Sequence, residues 1–273
     1  ATTATYQCSF ERFAAHGFGR KAAEACMRCG VAAACRARES GRGNLLVAGS
    51  LGAYGAHLAD GSEYTGAYGS SVSVEELAEF HVERGAVLKS ADGCDLLAFE
   101  TVPVVAEAEA LAVAADRLQF PCWVSFSCSS KTQLCSGEPF ELAVRAALRS
   151  RYIVGVGVNC SRPEFCTDLL GLALREVAAA DRPRSSVRLF CYPNSGEVWD
   201  GERREWLTCA LPSSSPDAGD GDPPISDGES ANSAGKSLAD FATEWRDLGA
   251  TFIGGCCRVG PNDIRKIQVA LSG

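Results

Sequence analysis

At 273 residues the chain falls within the range usual for one α/β barrel, so its length does not demand a second domain. With 46% hydrophobic and 22% charged residues it has the balance of a soluble globular protein, which excludes wholesale disorder. A formal net charge of −8 with no Lys/Arg cluster lacks the footprint of a phosphate-backbone binder, so nucleic acid is not expected as a partner.

Seven strands are predicted in chain order, near Thr2–Gln7, Leu45–Ser50, Leu96–Glu100, Cys122–Ser127, Ile153–Asn159, Val187–Tyr192 and Thr251–Gly254. Between them, Val74–Lys89, Val104–Leu118, Glu138–Ser150, Arg162–Ala180 and Leu238–Leu248 carry apolar residues at helical spacing, the last with Ser237 as its N-cap. Near-continuous apolar strands alternating with helices predict a parallel sheet covered on both faces, as in a closed barrel. The competing architecture is an open doubly wound sheet, but no glycine-rich phosphate loop follows the first strand.

Residues 212–236 are rich in Ser, Pro, Asp, Gly and Asn. Such a stretch cannot bury enough surface to offset its ordering entropy, which predicts a disordered surface insertion in an otherwise single domain spanning 1–273. No window approaches the roughly 18 consecutive apolar residues of a membrane span. The amino-terminal segment is broken by Glu11, Arg12 and His16, so neither a membrane partner nor a signal peptide is expected.

Fourteen cysteines accompany only three histidines, and most of them sit singly in apolar stretches. They read as small buried hydrophobes of a reducing, cytoplasmic compartment. Two groups stand apart because they fall where strands end. These are Gly254-Gly255-Cys256-Cys257, after the last strand, and Val158-Asn159-Cys160, after an earlier one.

Thiolates are soft ligands that suit zinc, and three protein ligands with an open position is the pattern of a catalytic site. Neighbouring side chains on a strand point to opposite faces, so Cys256 and Cys257 can share one ion only if the backbone leaves strand geometry, which the preceding glycines permit. Spacing alone also leaves room for two buried packing cysteines or a vicinal disulfide. Asn159 is a substrate-binding candidate that either orients substrate or caps a loop. Ser50, Ser125 and Ser127 lie at strand ends without an evident histidine partner, which argues against a nucleophilic serine. Tyr54, Tyr64 and Tyr68 read as loop packing, with a cation-binding cage as the alternative.

Several segments resemble the homocysteine S-methyltransferase family: GVGVNC ending at Cys160, the GGCC at 254–257, and the stretch from Tyr192 through Asn194 and Trp199 to Gly201. So do Ala48–Gly69, Phe99–Pro103 with Glu107-Ala108 following, and Trp123–Ser127. The matches run in order from the start of the chain to Arg265, the acidic stretch apart. Within the family the chain looks similar to the plant and bacterial S-methylmethionine-dependent enzymes.

The resemblance implies a (β/α)8 TIM barrel with zinc held by Cys160, Cys256 and Cys257, and with Glu100 as the carboxylate that binds the ammonium group of homocysteine. It implies small-molecule partners: homocysteine as acceptor, and S-methylmethionine or S-adenosylmethionine as methyl donor. The family begins with a strand carrying an Asp-Gly-Gly motif that is not found ahead of Ala1, so the N-terminal βα unit is expected to be missing.

A free thiol with a pKa near 8.5 is mostly protonated at neutral pH, and zinc would expel that proton. No general base is then needed, so the expected catalytic element is the substrate's own thiolate. The readings that compete are a non-catalytic zinc-binding or redox-sensing barrel, and a betaine-dependent or selenocysteine-preferring methyltransferase.

Overall fold

A computed structural model describes residues 1–40, 45–196, 198–200, 205–207 and 236–273. Its chain order is α1 (Phe10–Ala15), α2 (Arg20–Ser40), β1 (Ala48–Gly52), α3 (Tyr54–Leu58), α4 (Val74–Lys89), β2 (Leu96–Val102), α5 (Val105–Leu118) and β3 (Cys122–Phe126). There follow α6 (Phe140–Ala147), β4 (Ile153–Asn159), α7 (Pro163–Ala179), β5 (Arg188–Tyr192), β6 (Val198–Asp200), β7 (Glu205–Leu207), α8 (Leu238–Asp247), β8 (Ala250–Ile253) and α9 (Pro261–Ser272). The predicted insertion at 212–236 lies outside the described residues except for Lys236. Among the described residues no helix is long and apolar enough to cross a membrane.

Six strands form one parallel sheet in the order β1-β2-β3-β4-β5-β8, while β6 and β7 pair as a separate antiparallel hairpin. Each strand of the large sheet lies beside the one before it, with no reversal of order. An open doubly wound sheet requires such a reversal at its switch point, so that alternative does not describe this fold. Successive helices pack on one another in the same sense, α4 on α5, α5 on α6, α6 on α7, α7 on α8 and α8 on α9.

The period of two along each strand sorts the core. Leu97, Phe99, Val124, Phe126, Val156, Val158, Leu189 and Cys191 belong to the large apolar cluster shared with the helices. Their alternates Ala48, Leu96, Ala98, Trp123, Phe190 and Tyr192 form a second, smaller cluster on the opposite face. In β4 the alternates are Gly155 and Gly157, and a Cβ on Gly157 would lie 1.8 Å from the Phe190 carbonyl oxygen. The glycines of that strand therefore let β5 and its Phe190 ring approach closely.

Three departures from the predicted elements have identifiable causes. The strand predicted at Thr2–Gln7 is reduced to a single parallel bridge between Thr2 and Ala48. At Ser50 side chains replace the ladder, where Thr3 Oγ1 accepts from Ser50 N at 2.9 Å and Thr5 Oγ1 donates to Ser50 O at 2.7 Å, before Gly52 N donates to Tyr6 O at 3.0 Å. The strand predicted at Leu45–Ser50 begins three residues later, because the Asp95 carboxylate takes the Val47 N–H at 2.7 Å while Leu45 and Leu46 are exposed. Helix α2, not anticipated, buries a narrow stripe of Ala23, Met27, Val31 and Ala34 that is easily lost among Ala, Arg and Cys.

Candidate metal and substrate site

Toward the C-terminal ends of the strands the inner face turns polar. Ser50 donates from Oγ to Glu100 Oε1 at 2.6 Å, Trp123 Nε1 donates to the Tyr192 hydroxyl at 2.9 Å, and Ser125 Oγ shares a hydrogen bond with that hydroxyl. Glu100, Ser125 and Tyr192 are all buried. Burial pushes the Glu100 carboxyl above its ordinary range, opposed by hydrogen bonds from Ser50 and Tyr192. A cation brought beside Glu100 would reverse that shift.

Asn159 ends β4. Its Oδ1 accepts from the Thr101 N–H at 2.8 Å, and its Nδ2 donates to Thr101 Oγ1 at 2.8 Å and faces Cys256 Sγ at 4.0 Å. Both Thr101 and Cys160 have left-handed backbone, at φ of 63° and 46°. Such φ values are uncommon outside glycine, and at functional sites they aim a side chain that regular strand geometry would not.

The GGCC segment follows β8. Its glycines do not use positive φ; the left-handed residue there is Arg258, at 63°. Gly255 is required for a different reason, since a Cβ would lie 2.1 Å from Val259 Cγ1. The loop after β5 joins the two cysteine segments. Cys160 N donates to Tyr192 O at 3.3 Å, Asn194 N to Ser161 O at 3.1 Å, Cys256 N to Pro193 O at 2.7 Å and Ser195 N to Cys257 O at 3.1 Å. The Tyr-Pro-Asn-Ser stretch is thus a backbone splint between Cys160 and the vicinal pair.

The three sulfurs all lie within 4.8 Å of one another, and they form the group among the described residues able to hold a metal ion. Cys257 Sγ is 3.7 Å from Cys160 Sγ and 4.0 Å from Cys256 Sγ. Ligands on a tetrahedral ion with zinc–sulfur bonds of about 2.3 Å are separated by about 3.8 Å. The adjacent cysteines are not bonded to each other; Cys160 and Cys256 are instead paired as a disulfide, with Cα atoms 5.6 Å apart, and Cys257 keeps a free thiol. That bond must be reduced before all three act as thiolates. Once reduced, the donor set and its spacing fit a thiophilic ion.

Two residues bordering this site were not revealed by the spacing of the motifs. Burial raises the Cys257 thiol above its ordinary range, and the nearby Tyr64 hydroxyl opposes that rise. Glu63, the chain neighbour of Tyr64, is buried. Their signal lay in the Gly-Ser-Glu-Tyr run within Ala48–Gly69. Tyr54 instead packs against Tyr68 and Phe80.

The family model described as Homocysteine S-methyltransferase matches residues 1–271. Homocysteine S-methyltransferase 1 of Arabidopsis thaliana is 38% identical over 279 residues, which cover 97% of this chain and 76% of that protein. Homocysteine S-methyltransferase 1 of Zea mays is 36% identical over 284 residues, covering 99% and 79%. Among solved structures, the metallated form of the homocysteine methyltransferase MmuM from Escherichia coli is similar with a TM-score of 0.73 and 33% identity, over 98% of this chain and 78% of that one. With a family match along almost its whole length and this thiol cluster at the strand ends, the chain belongs to the homocysteine S-methyltransferase family.

Proposed function

We propose that this chain transfers a methyl group from a sulfonium donor, S-methylmethionine or S-adenosylmethionine, to the thiol of homocysteine, giving methionine. The observation that carries this reading is the convergence of Cys160 with Cys256 and Cys257, the first two 96 residues apart in sequence. Zinc dependence follows as part of the same reading, with those three cysteines as ligands. Consecutive strand order and a parallel bridge from Thr2 to the outer edge of β1 support a (β/α)8 barrel formed by a single homocysteine-binding domain.

A bound zinc ion would supply the Lewis acidity that keeps a coordinated thiol deprotonated at neutral pH. The chain's own residues do the rest. Glu100 holds the homocysteine ammonium group, and its partner Ser50 fixes the carboxylate's orientation. Asn159, tied to Thr101, holds Cys160 and Glu100 in register, since each of the two tied residues is the chain neighbour of one of them.

During transfer the donor's S–CH3 bond breaks with its electron pair left on the donor sulfur. A pair from the homocysteine thiolate forms the new S–CH3 bond. Opposite charges vanish together, so a pocket poor in water favours the transition state. Trp123, Phe190 and Tyr192, against which Cys256 packs, form the apolar wall that excludes water on that side.

The Cys160–Cys256 bond favours a second reading, a redox-sensing barrel without catalysis. One experiment separates the two: methionine formation from homocysteine and S-methylmethionine, assayed with reductant and zinc and then after chelation. Zinc-dependent turnover supports the methyltransferase. A reduced, zinc-loaded chain without turnover rejects it.

A further inference from the structure

The 3-10 turn Ser62–Tyr64, which follows α3, is built against the sheet end. Ser127 Oγ donates to Glu63 O at 2.9 Å, and Gly55 lies so close beneath that an added Cβ would be 2.4 Å from Glu63 N. Tyr64 tempers the rise that burial imposes on the Cys257 thiol. Glu63, its neighbour on the turn, is only 9% exposed.

Among the described residues Glu63 Oε2 has no hydrogen-bond partner; burial raises the carboxyl above its ordinary range, its own backbone N–H opposes that rise, and the neighbouring Asp60 carboxylate adds to it. Buried carboxylates are found paired, because leaving one without a donor forfeits its hydration for nothing in return. An unmet acceptor on a turn held against the strand ends that carry the site therefore marks the place of a ligand's donor group. Glu100 differs, since its Oε1 already accepts from Ser50 and it rises from the floor of the sheet instead of the loops above it.

Resting on the methyltransferase reading above, we propose that Glu63 is the specificity residue for the methyl donor, its Oε2 accepting the ammonium group of a sulfonium amino acid. Two amino-acid substrates meet at this site, and each brings one ammonium. In-line transfer places the donor beyond the methyl group from the attacking sulfur. The donor therefore approaches from the loop side, where the Ser62–Tyr64 turn carries Glu63, while Glu100 serves homocysteine.

The test is calorimetric titration of the reduced, zinc-loaded chain and its Glu63→Gln and Glu63→Asp variants. The ligands are S-methylmethionine, homocysteine, and dimethylsulfoniopropionate, a sulfonium acid without an ammonium group. Glu63→Gln is expected to weaken S-methylmethionine binding about 10- to 100-fold, the worth of one charge-assisted hydrogen bond, with Glu63→Asp in between. Zinc content, homocysteine affinity and dimethylsulfoniopropionate affinity stay unchanged. Equal S-methylmethionine binding by the parent and Glu63→Gln overturns the proposal, as does a parallel loss for homocysteine or for dimethylsulfoniopropionate. A parent chain that binds neither homocysteine nor S-methylmethionine overturns the methyltransferase reading itself, whereas a parent that binds both, with an unaffected variant, removes only the role of Glu63.

Discussion

Thr101 and Asn159 are locked together by two hydrogen bonds of 2.8 Å, although they lie at the C-terminal ends of strands that are not neighbours in the sheet, Thr101 one residue short of its strand's last. The tie crosses above β3 and sets the distance between Glu100 and Cys160. Asn159→Ala leaves the buried Thr101 N–H without a partner, at a cost of roughly 1–3 kcal/mol of stability. Activity is expected to fall further than stability alone explains, because both neighbours are released. Urea unfolding and methionine formation on the same variant check this; a variant of unchanged activity would show that the tie does not position the site.

Serine in place of Cys160, Cys256 or Cys257 removes a soft donor from the cluster. Each variant is expected to lose zinc by more than the 10–100-fold typical of losing a mere supporting contact, and to lose methyl transfer with it. Zinc analysis after dialysis, beside the assay, provides the check. Serine for Cys166 or Cys191, which are buried among the helix-facing residues, should leave zinc content intact. A zinc-free cysteine variant that still makes methionine would contradict the proposed ligand set.

Beneath α3 lies a buried charge network unrelated to the sulfurs. Glu107 accepts from Tyr54 N at 2.7 Å, from the Tyr68 hydroxyl and from His81 Nε2 at 2.8 Å, while Arg84 Nη2 donates to Gly52 O at 2.8 Å. Guanidinium only donates, so His81 Nδ1, 3.1 Å from Arg84 Nη2, accepts and Nε2 carries the proton. Glu107→Ala is expected to cost roughly 1–3 kcal/mol or more, measured by urea unfolding, by leaving the Tyr54 N–H and the buried His81 Nε2–H without an acceptor.

Burial holds the His81 imidazole below its ordinary 6.5, with Glu107 pulling the other way. The unfolded chain thus binds more protons below that pH. His81 contributes its stability in full above about pH 6.5 and loses it as the pH falls toward the folded value. The urea midpoint of the parent should drop more between pH 7.5 and 5.5 than that of His81→Gln. His57, also lowered by burial, titrates in both proteins and cancels in the comparison. Equal drops would show that His81 does not carry the effect.

Two glycines predict opposite outcomes for the same substitution. A Cβ at Gly157 meets the backbone of Phe190 at 1.8 Å, so Gly157→Ala should destabilise by roughly 1–3 kcal/mol or more. Gly171, inside α7, has nothing within 4 Å of its would-be Cβ, and Gly171→Ala should stabilise by about 0.5–1 kcal/mol. Thermal unfolding of the pair tests whether β4 needs glycine for close approach.

Much of the site was legible in the sequence because its parts are local. Strand β4 occupies the predicted Ile153–Asn159, and α4 the predicted Val74–Lys89, since apolar periodicity acts over a few residues. The cysteine motifs stood out because thiol chemistry is written in residue type. The threonine hydroxyls that replace a ladder at Ser50 were hidden, because an extended pattern does not say which hydrogen bonds the chain will form.

The sequence by itself determined the alternation of strands and helices, the family, and which sulfurs were candidates for one ion. Only the tertiary structure decided that Cys160 pairs with Cys256 and not Cys257, that the Tyr192–Ser195 splint joins their loops, and that Ser127 holds the Glu63 turn against the strand ends. These are contacts between segments tens of residues apart, fixed by packing and by hydrogen bonds that no local pattern encodes.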